Sequence, residues 1–393
     1  MHEELDKAAI ARIVPEVTTI RHDIHAHPEL AYEEHRTARI IAAALREMGI
    51  DVTEHIGGTG VVGTLRKGSS SRSIGLRADM DALGFEEKTG LAYASTHPGI
   101  FHGCGHDGHI AMLLGAARHL REAVDFDGVV HFIFQPAEEG LAGARAMIED
   151  GLFERFPCDE VYALHNWPDL PAGQFQTRAG PIMAAADRIA ITLSCKGGHA
   201  AQPHQTSDAV LAAADLILQL NTIVSRRIPA HEAAVLSVTV VQGGTVHNVI
   251  PSEVRLMGTV RSFTRPVQQR IEQAVRDMVA GVAQSHGVEF ELDLDSYYPP
   301  TVNAAQCAEK ALAAAAAIPG IEASYAPDPA FTSEDFSFML EAVPGAYCWL
   351  GQGVGLDAPA LHTPRYDFND KVTGHGIAWF TNLVRQELGT QQP

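Results

Sequence analysis

Apolar residues recur at helical spacing in "ELDKAAIARIVPEVTTIRHDIHAHP" and "EEHRTARIIAAALREMGI", and then the rhythm changes. "SIGLRADMDAL" reads as a short apolar strand that ends in charge. "HIAMLLGAARHLREAV" returns to helix, and "GVVHFIFQPAEEG" is a strand of β-branched and aromatic residues that stops at Pro136. The helix "GARAMIEDGLF" leads to another buried strand, "EVYALHNWP". Strands separated by helices predict βαβ units and a mostly parallel sheet covered on both faces.

Near residue 187 the pattern shifts to a strand, "DRIAITLSCKGG", and a long amphipathic helix, "SDAVLAAADLILQLNTIVSRR". Two strands, "AAVLSVTVVQGG" and "SEVRLMGTVRSF", a helix, "PVQQRIEQAVRDMVAGVAQSHG", and a last strand, "VEFELDLDSYY", complete the series. That β-α-β-β-α-β order predicts a ferredoxin-like unit. After Pro299 and Pro300 the first style resumes, with "AQCAEKALAAAAA", "SEDFSFMLEA" and "GAYCWLGQG". The expected fold is therefore α/β. A catalytic domain formed by residues 1–186 and 298–393 is interrupted by an inserted domain at 187–297.

A length of 393 residues suits two domains better than one. With 48 acidic against 29 basic side chains the net charge is −19, which opposes nucleic acid and anionic membranes, since both are bound through Lys and Arg. The start, "MHEELDKAAIARIV", has the mixed charge of an amphipathic helix and not the plan of a secretory signal. No apolar run approaches the roughly 20 residues of a membrane span. The five cysteines are odd in number and scattered, so a disulfide framework is not expected and a reducing cytoplasm is.

Candidate ligands fall where an open parallel sheet binds them, beyond the carboxyl ends of strands. Asp79 and Asp81 follow one strand, Glu138 and Glu139 a second, His165 a third, and His362 lies in the loop after the last. In "GCGHDGH", Cys104 and His106 stand two apart, so in an extended segment both would point the same way. Thiolate, imidazole and carboxylate together suit Zn, Co, Ni or Mn, and not Ca or Mg. A buried cysteine beside a capping histidine is the plainer alternative. Adjacent Glu138 and Glu139 let one carboxylate bind metal while the other acts as a base, although two glutamates opening a helix are equally ordinary. His22, His25 and His27 are expected in solvated or capping roles at a helix end, and His199 in a surface turn. Neither "GGTGVVG" nor "GQGVG" is a dinucleotide fingerprint, and no G-x-S-x-G elbow is present.

"HAHPELAYEE", "RADMDAL", "GCGHDGH", "QPAEEG", "GGHAAQPH", "NVIP", "GTVR", "SEDFS" and "LHTPRYDFND", in this order, resemble the amidohydrolase branch of the M20 metallopeptidase family. That branch includes hippurate hydrolases and aminoacylases, and the resemblance runs from about residue 20 to about residue 375. It implies two divalent ions per subunit (Zn, Mn, Co or Ni), held by Cys104, His106, Glu139, His165 and His362, with the Cys104 thiolate in the bridging place. Glu138 matches the general acid/base. The inserted domain matches a lid through which such chains form homodimers or homotetramers. His199 matches a catalytic residue acting on the carbonyl oxygen, in some relatives from across the dimer. Asn248 and Arg261 match substrate-binding residues, with Arg261 as the clamp on a carboxylate. Gly84 and the "DAV" at Asp208–Val210 depart from the family pattern, beside the site and not within it. The implied substrate is a small N-acyl amino acid. A carboxypeptidase or dipeptidase with the same centre, and a metal-binding protein without catalysis, are the alternatives.

Overall fold

The strands buried at every position, Ser73–Asp79, Gly128–Gln135 and Gly345–Gly353, lie inside one eight-stranded sheet in a computed structural model that describes residues 2–353 and 359–390. Such continuous burial is what a sheet covered on both faces demands. Across the sheet the strands run Asp51–Ile56, Gly60–Lys67, Gly128–Gln135, Ser73–Asp79, Glu160–Pro171, Gly345–Gly353, Gln174–Thr177 and Glu322–Tyr325. The four from Gly128–Gln135 to Gly345–Gly353 are mutually parallel, and antiparallel strands flank them. Helices His2–Ala26, His106–Ala123 and Thr373–Leu388 share one core with the sheet, through residues such as Val17, Leu113 and Trp379.

The described residues form two compact units, one within Met1–Ile182, Val302–Asp328 and Asp335–Pro393, the other within Met183–Thr301 and Pro329–Glu334. The second unit has an antiparallel sheet in the order Ala234–Gly243, Glu253–Ser262, Ala185–Ser194, Glu289–Tyr298. Its core joins these strands to helices Ala209–Leu220 and Arg265–His286. The chain order β-α-β-β-α-β with this strand order is the ferredoxin-like arrangement. Asp208 caps the first helix by accepting from the N–H groups of Val210 (2.9 Å) and Leu211 (3.1 Å), the role its extended backbone and short carboxylate suit.

The structure adds one element to the sequence expectations and changes another. The glycine-rich "GGTGVVG" belongs to an antiparallel pair, Asp51–Ile56 with Gly60–Lys67, whose register shifts at His55. The segment after Gly103 is not extended: Gly105 turns at φ +89° and a helix begins at His106. Among the described residues no helix is long and apolar enough to cross a membrane.

Candidate metal centre

The Gly105 turn places Cys104 in a loop and His106 on the first turn of a buried helix. A Cβ at Gly105 would lie 2.3 Å from both Asn166 Oδ1 and Tyr366 Oη, so only glycine allows the backbone this close. Pro136 ends the Gly128–Gln135 strand, and the chain then turns through Ala137 (φ +53°) and Gly140 (φ +88°), which presents Glu138 and Glu139 differently. The helix that follows starts only at Gly143, so these glutamates do not open it. His165 lies within the Glu160–Pro171 strand, opposite Trp349. His362 takes φ +59° and its N–H donates to the Gly103 carbonyl (2.9 Å), which fastens its loop to the cysteine loop.

All five residues matched to the metal come together in the first unit. Ligand atoms of Cys104, Glu139 and His362 lie within 4.8 Å of one another, as do those of His106, Glu138 and Glu139. A third group joins His106 and His165 to Asp79 and His109. Cys104 Sγ is 3.5 Å from His165 Nε2, and His362 Nε2 is 3.1 Å from Glu139 Oε1.

Neighbouring acceptors fix how the imidazoles face. His165 Nδ1 donates to the Asn166 carbonyl (2.7 Å), which turns the Nε2 lone pair towards Cys104. His106 Nδ1 donates to Asp81 Oδ1 (3.3 Å), and its Nε2 is buried with no hydrogen bond. Glu139 Oε1 is likewise buried without one. Orienting a ligand's second nitrogen in this way is characteristic of metal-binding histidines. Asp81 also accepts from the Glu139 N–H (2.9 Å), so one carboxylate positions two of the residues. Asp79 is committed to Arg77 Nη1 (2.7 Å) and His109 Nδ1 (2.5 Å).

The electrostatics of the protein groups point to a missing positive charge. Burial, with Glu139, Glu138 and Asp79 close by, pushes the Cys104 thiol well above its ordinary range. Burial works to lower His106, but Asp79 and Asp81 outweigh it and hold it up at about 10. Burial and the nearby His109 push His165 well down. A divalent cation would relieve this crowding and keep Cys104 as thiolate, because ligation removes protons from the groups that bind. Mixed S, N and O donors with unpartnered atoms therefore fit a metal centre.

Glu138 is 6% exposed and accepts from the Asp335 N–H (3.4 Å). The Asp335 carboxylate is itself held by Arg77 Nη2 (3.2 Å), Gln135 Nε2 (2.7 Å) and the Ala144 N–H (2.8 Å). Nothing in "SEDFS" read as sequence shows that its aspartate N–H meets the glutamate. The sequence predicts a solvated or capping role for His25. Instead His25 is fully buried, with Nδ1 2.8 Å from Asp107 Oδ2, beside Arg21 Nε on the same oxygen (2.8 Å). The reason is the "GCGHDGH" aspartate, whose buried charge needs these partners.

His199, Asn248 and Arg261 lie in the second unit. His199 pairs with Val249 in a short antiparallel bridge, and the Ala200 N–H donates to the Asn248 carbonyl (3.0 Å), so the first two are neighbours. This bridge is next to the start of the Glu253–Ser262 strand, where the Cys195 N–H donates to the Ser252 carbonyl (2.8 Å). Arg261 is near that strand's other end, roughly 27 Å away at the usual rise per residue. Its Nη1 donates to the Val260 carbonyl (2.8 Å).

Soft and hard donors sharing one rim of an open α/β sheet, with a spare buried carboxylate alongside, define a metal-dependent hydrolase. The chain belongs to peptidase family M20/M25/M40, whose model matches residues 75–386. It is 38% identical over 374 residues to the hippurate hydrolase of Campylobacter jejuni, covering 95% of this chain and 97% of that one. Thermostable carboxypeptidase 1 of Saccharolobus solfataricus is 37% identical, with 85% of each chain covered. Among solved structures, a dinuclear metal-binding peptidase of the M20 family from Bacillus subtilis superposes with a TM-score of 0.84 at 32% identity, covering 97% of this chain and 99% of that one.

Proposed function

We propose that this enzyme hydrolyses the amide bond of N-acyl amino acids, with acetyl, benzoyl or other aryl-acyl groups, releasing a carboxylic acid and a free amino acid. The observation that carries the reading is the division between adjacent glutamates. Glu139 turns Oε1, 3.1 Å from His362 Nε2 and without a hydrogen bond, towards Cys104 and His362, while Glu138 is buried beside them and held by the Asp335 N–H. Cys104, His106, Glu139, His165 and His362 would hold two divalent ions, which supply acidified water and polarisation of the amide carbonyl. Among Mn, Zn, Co and Ni the donor set makes no choice.

Glu138 takes a proton from the attacking water as its oxygen bonds to the carbonyl carbon. It returns that proton to the leaving nitrogen as the C–N bond breaks. His199 donates to the developing oxyanion, and Asn248 helps seat the substrate. Arg261 binds the amino acid's carboxylate through its planar fork. His199 lies beyond one end of the Glu253–Ser262 strand and Arg261 near the other, eight residues or roughly 27 Å along it from Glu253, which favours their meeting one substrate from different subunits. This supports a homodimer or homotetramer in which the second unit lends His199 to its partner. Exposed apolar side chains on that unit, Leu218 at 71% and the edge-strand Val241 at 60%, support association there.

Glu138→Gln should retain its metal and lose about 100- to 10,000-fold in turnover. A Gln variant with normal turnover would remove Glu138 from the mechanism. The similarity to a carboxypeptidase favours a second reading, peptide hydrolysis at the same centre, in which dipeptides would be cleaved faster than acyl conjugates.

A further inference from the structure

A cavity of about 440 Å³ lies in the first unit between the N-terminal helix His2–Ala26 and the C-terminal helix Thr373–Leu388, and no metal-site residue lines it. Its volume is within the range of small-molecule pockets. Ile10, Val14, Ile318 and Ala378 supply apolar walls. His375 also lines it, with Nδ1 buried and lacking any partner among the described residues. His119, another lining residue, is on the helix that starts at His106, thirteen residues on and so roughly 20 Å from the metal centre.

The charges around this cavity do not balance. Asp6 is taken by Arg385, whose Nη1 lies 2.6 Å from its carboxylate, and Asp370 by His22 (2.8 Å) and Arg21 (3.6 Å). Lys7 and Lys371 also line the cavity, and among the described residues neither has an ion-pair partner. Two ammonium groups without an ion-pair partner among the described residues, at the mouth of an apolar chamber, favour a ligand that carries negative charge. Among the described lining residues the one guanidinium, that of Arg385, is already engaged by Asp6, which leaves ammonium point charges and not the fork that a phosphate dianion favours.

We propose that this cavity is a second ligand site, for a small organic acid with one carboxylate on an apolar body. The body packs between the two helices against Ile10, Val14 and Ala378, and the carboxylate faces Lys7 and Lys371. The site does not depend on the hydrolytic reading, since none of its residues takes part in that chemistry.

The test is calorimetric titration of the metal-loaded, full-length protein with 4-phenylbutyrate and, in parallel, with uncharged 4-phenylbutyramide. A carboxylate could also bind at the metal rim, so two variants separate the sites. A Cβ at Gly374 would make only ordinary contacts, 3.6 Å from Ile10 and Val14, and Gly374 lines the cavity, so Gly374→Met is the variant chosen to fill it with a flexible side chain. Lys371 is exposed, and Lys371→Gln removes one charge without disturbing a core. The expected result is acid binding that is abolished by Gly374→Met, weakened about fivefold by Lys371→Gln and nearly absent for the amide, with kcat/KM unchanged in both variants. Equal acid binding in wild type and both variants would overturn the proposal, as would equal binding of acid and amide, or no binding of the acid at millimolar concentration.

Discussion

Glu138 and Glu139 are chemically identical neighbours that the fold turns to different partners. Ala137 and Gly140 in left-handed conformations splay the pair, Asp81 positions the backbone of one and the Asp335 backbone holds the carboxylate of the other. Cys104 poses the complementary question, since its buried thiol among carboxylates is a poor acid until a cation joins it. Cys104→Ser should therefore lower the number of ions bound per subunit, measured by elemental analysis after dialysis. Unchanged stoichiometry would mean that the thiol is not a ligand. The residue types of this site could be read in the sequence because each has a distinct chemistry and lies beyond an apolar run. Asp335, Asn166 and Tyr366 could not be read in the same way, and Asp81, expected as a ligand, instead accepts from His106 Nδ1 and the Glu139 N–H. Their work is done through contacts with residues far away in the chain, and nothing in "RADMDAL" or "SEDFS" alone tells which carboxylate faces which partner.

Elements carry the site because their ends are fixed. Strands Ser73–Asp79 and Gly128–Gln135 are buried at every position, the helix starts where Gly105 permits, and Arg21 from the N-terminal helix reaches both Asp107 (2.8 Å) and Asp367 (2.5 Å), which lie beside His106 and in the His362 loop. Long apolar elements were legible, and so was the switch to a β-α-β-β-α-β order. The hairpin Asp51–Lys67, the short strand Gln174–Thr177 and the edge strand Glu322–Tyr325 were not, because short, glycine-bearing or half-polar strands are defined by the sheet that receives them. The sheet also leaves a pH signature. His131, 4% exposed within the Gly128–Gln135 strand, is pushed down to about 4 by burial. A histidine that binds its proton less tightly folded than unfolded stabilises the fold above about 6.5, and this contribution is lost as the pH falls towards 4. Denaturant titrations of wild type should show a loss of up to about 3 kcal/mol from this residue across that window. In His131→Gln the extra loss should vanish, and an identical acid slope in both proteins would remove His131 as its source.

At the scale of the whole molecule, the proposal draws on His199 and Arg261, which lie towards opposite ends of one strand ladder in the second unit. Mixing Glu138→Gln with His199→Ala tests this directly. If His199 serves the partner, exchange of subunits gives hybrid dimers with one intact site, and activity should return to about a quarter of wild type. No recovery after verified exchange would assign His199 to its own subunit. Neither the spacing of "GGHAAQPH" nor that of "GTVR" could have revealed this separation, which exists only once the Glu253–Ser262 strand is laid out. The central claim, metal-dependent hydrolysis of acyl amino acids, is tested most directly by amino-acid release from N-acetyl, N-benzoyl and N-indoleacetyl conjugates. The protein would be stripped by chelator and then reloaded with Mn, Zn, Co or Ni. The account predicts release that stops on stripping and returns with at least one of these ions. Release that continues undiminished after the metal is gone, or none with any ion on any conjugate, would contradict it.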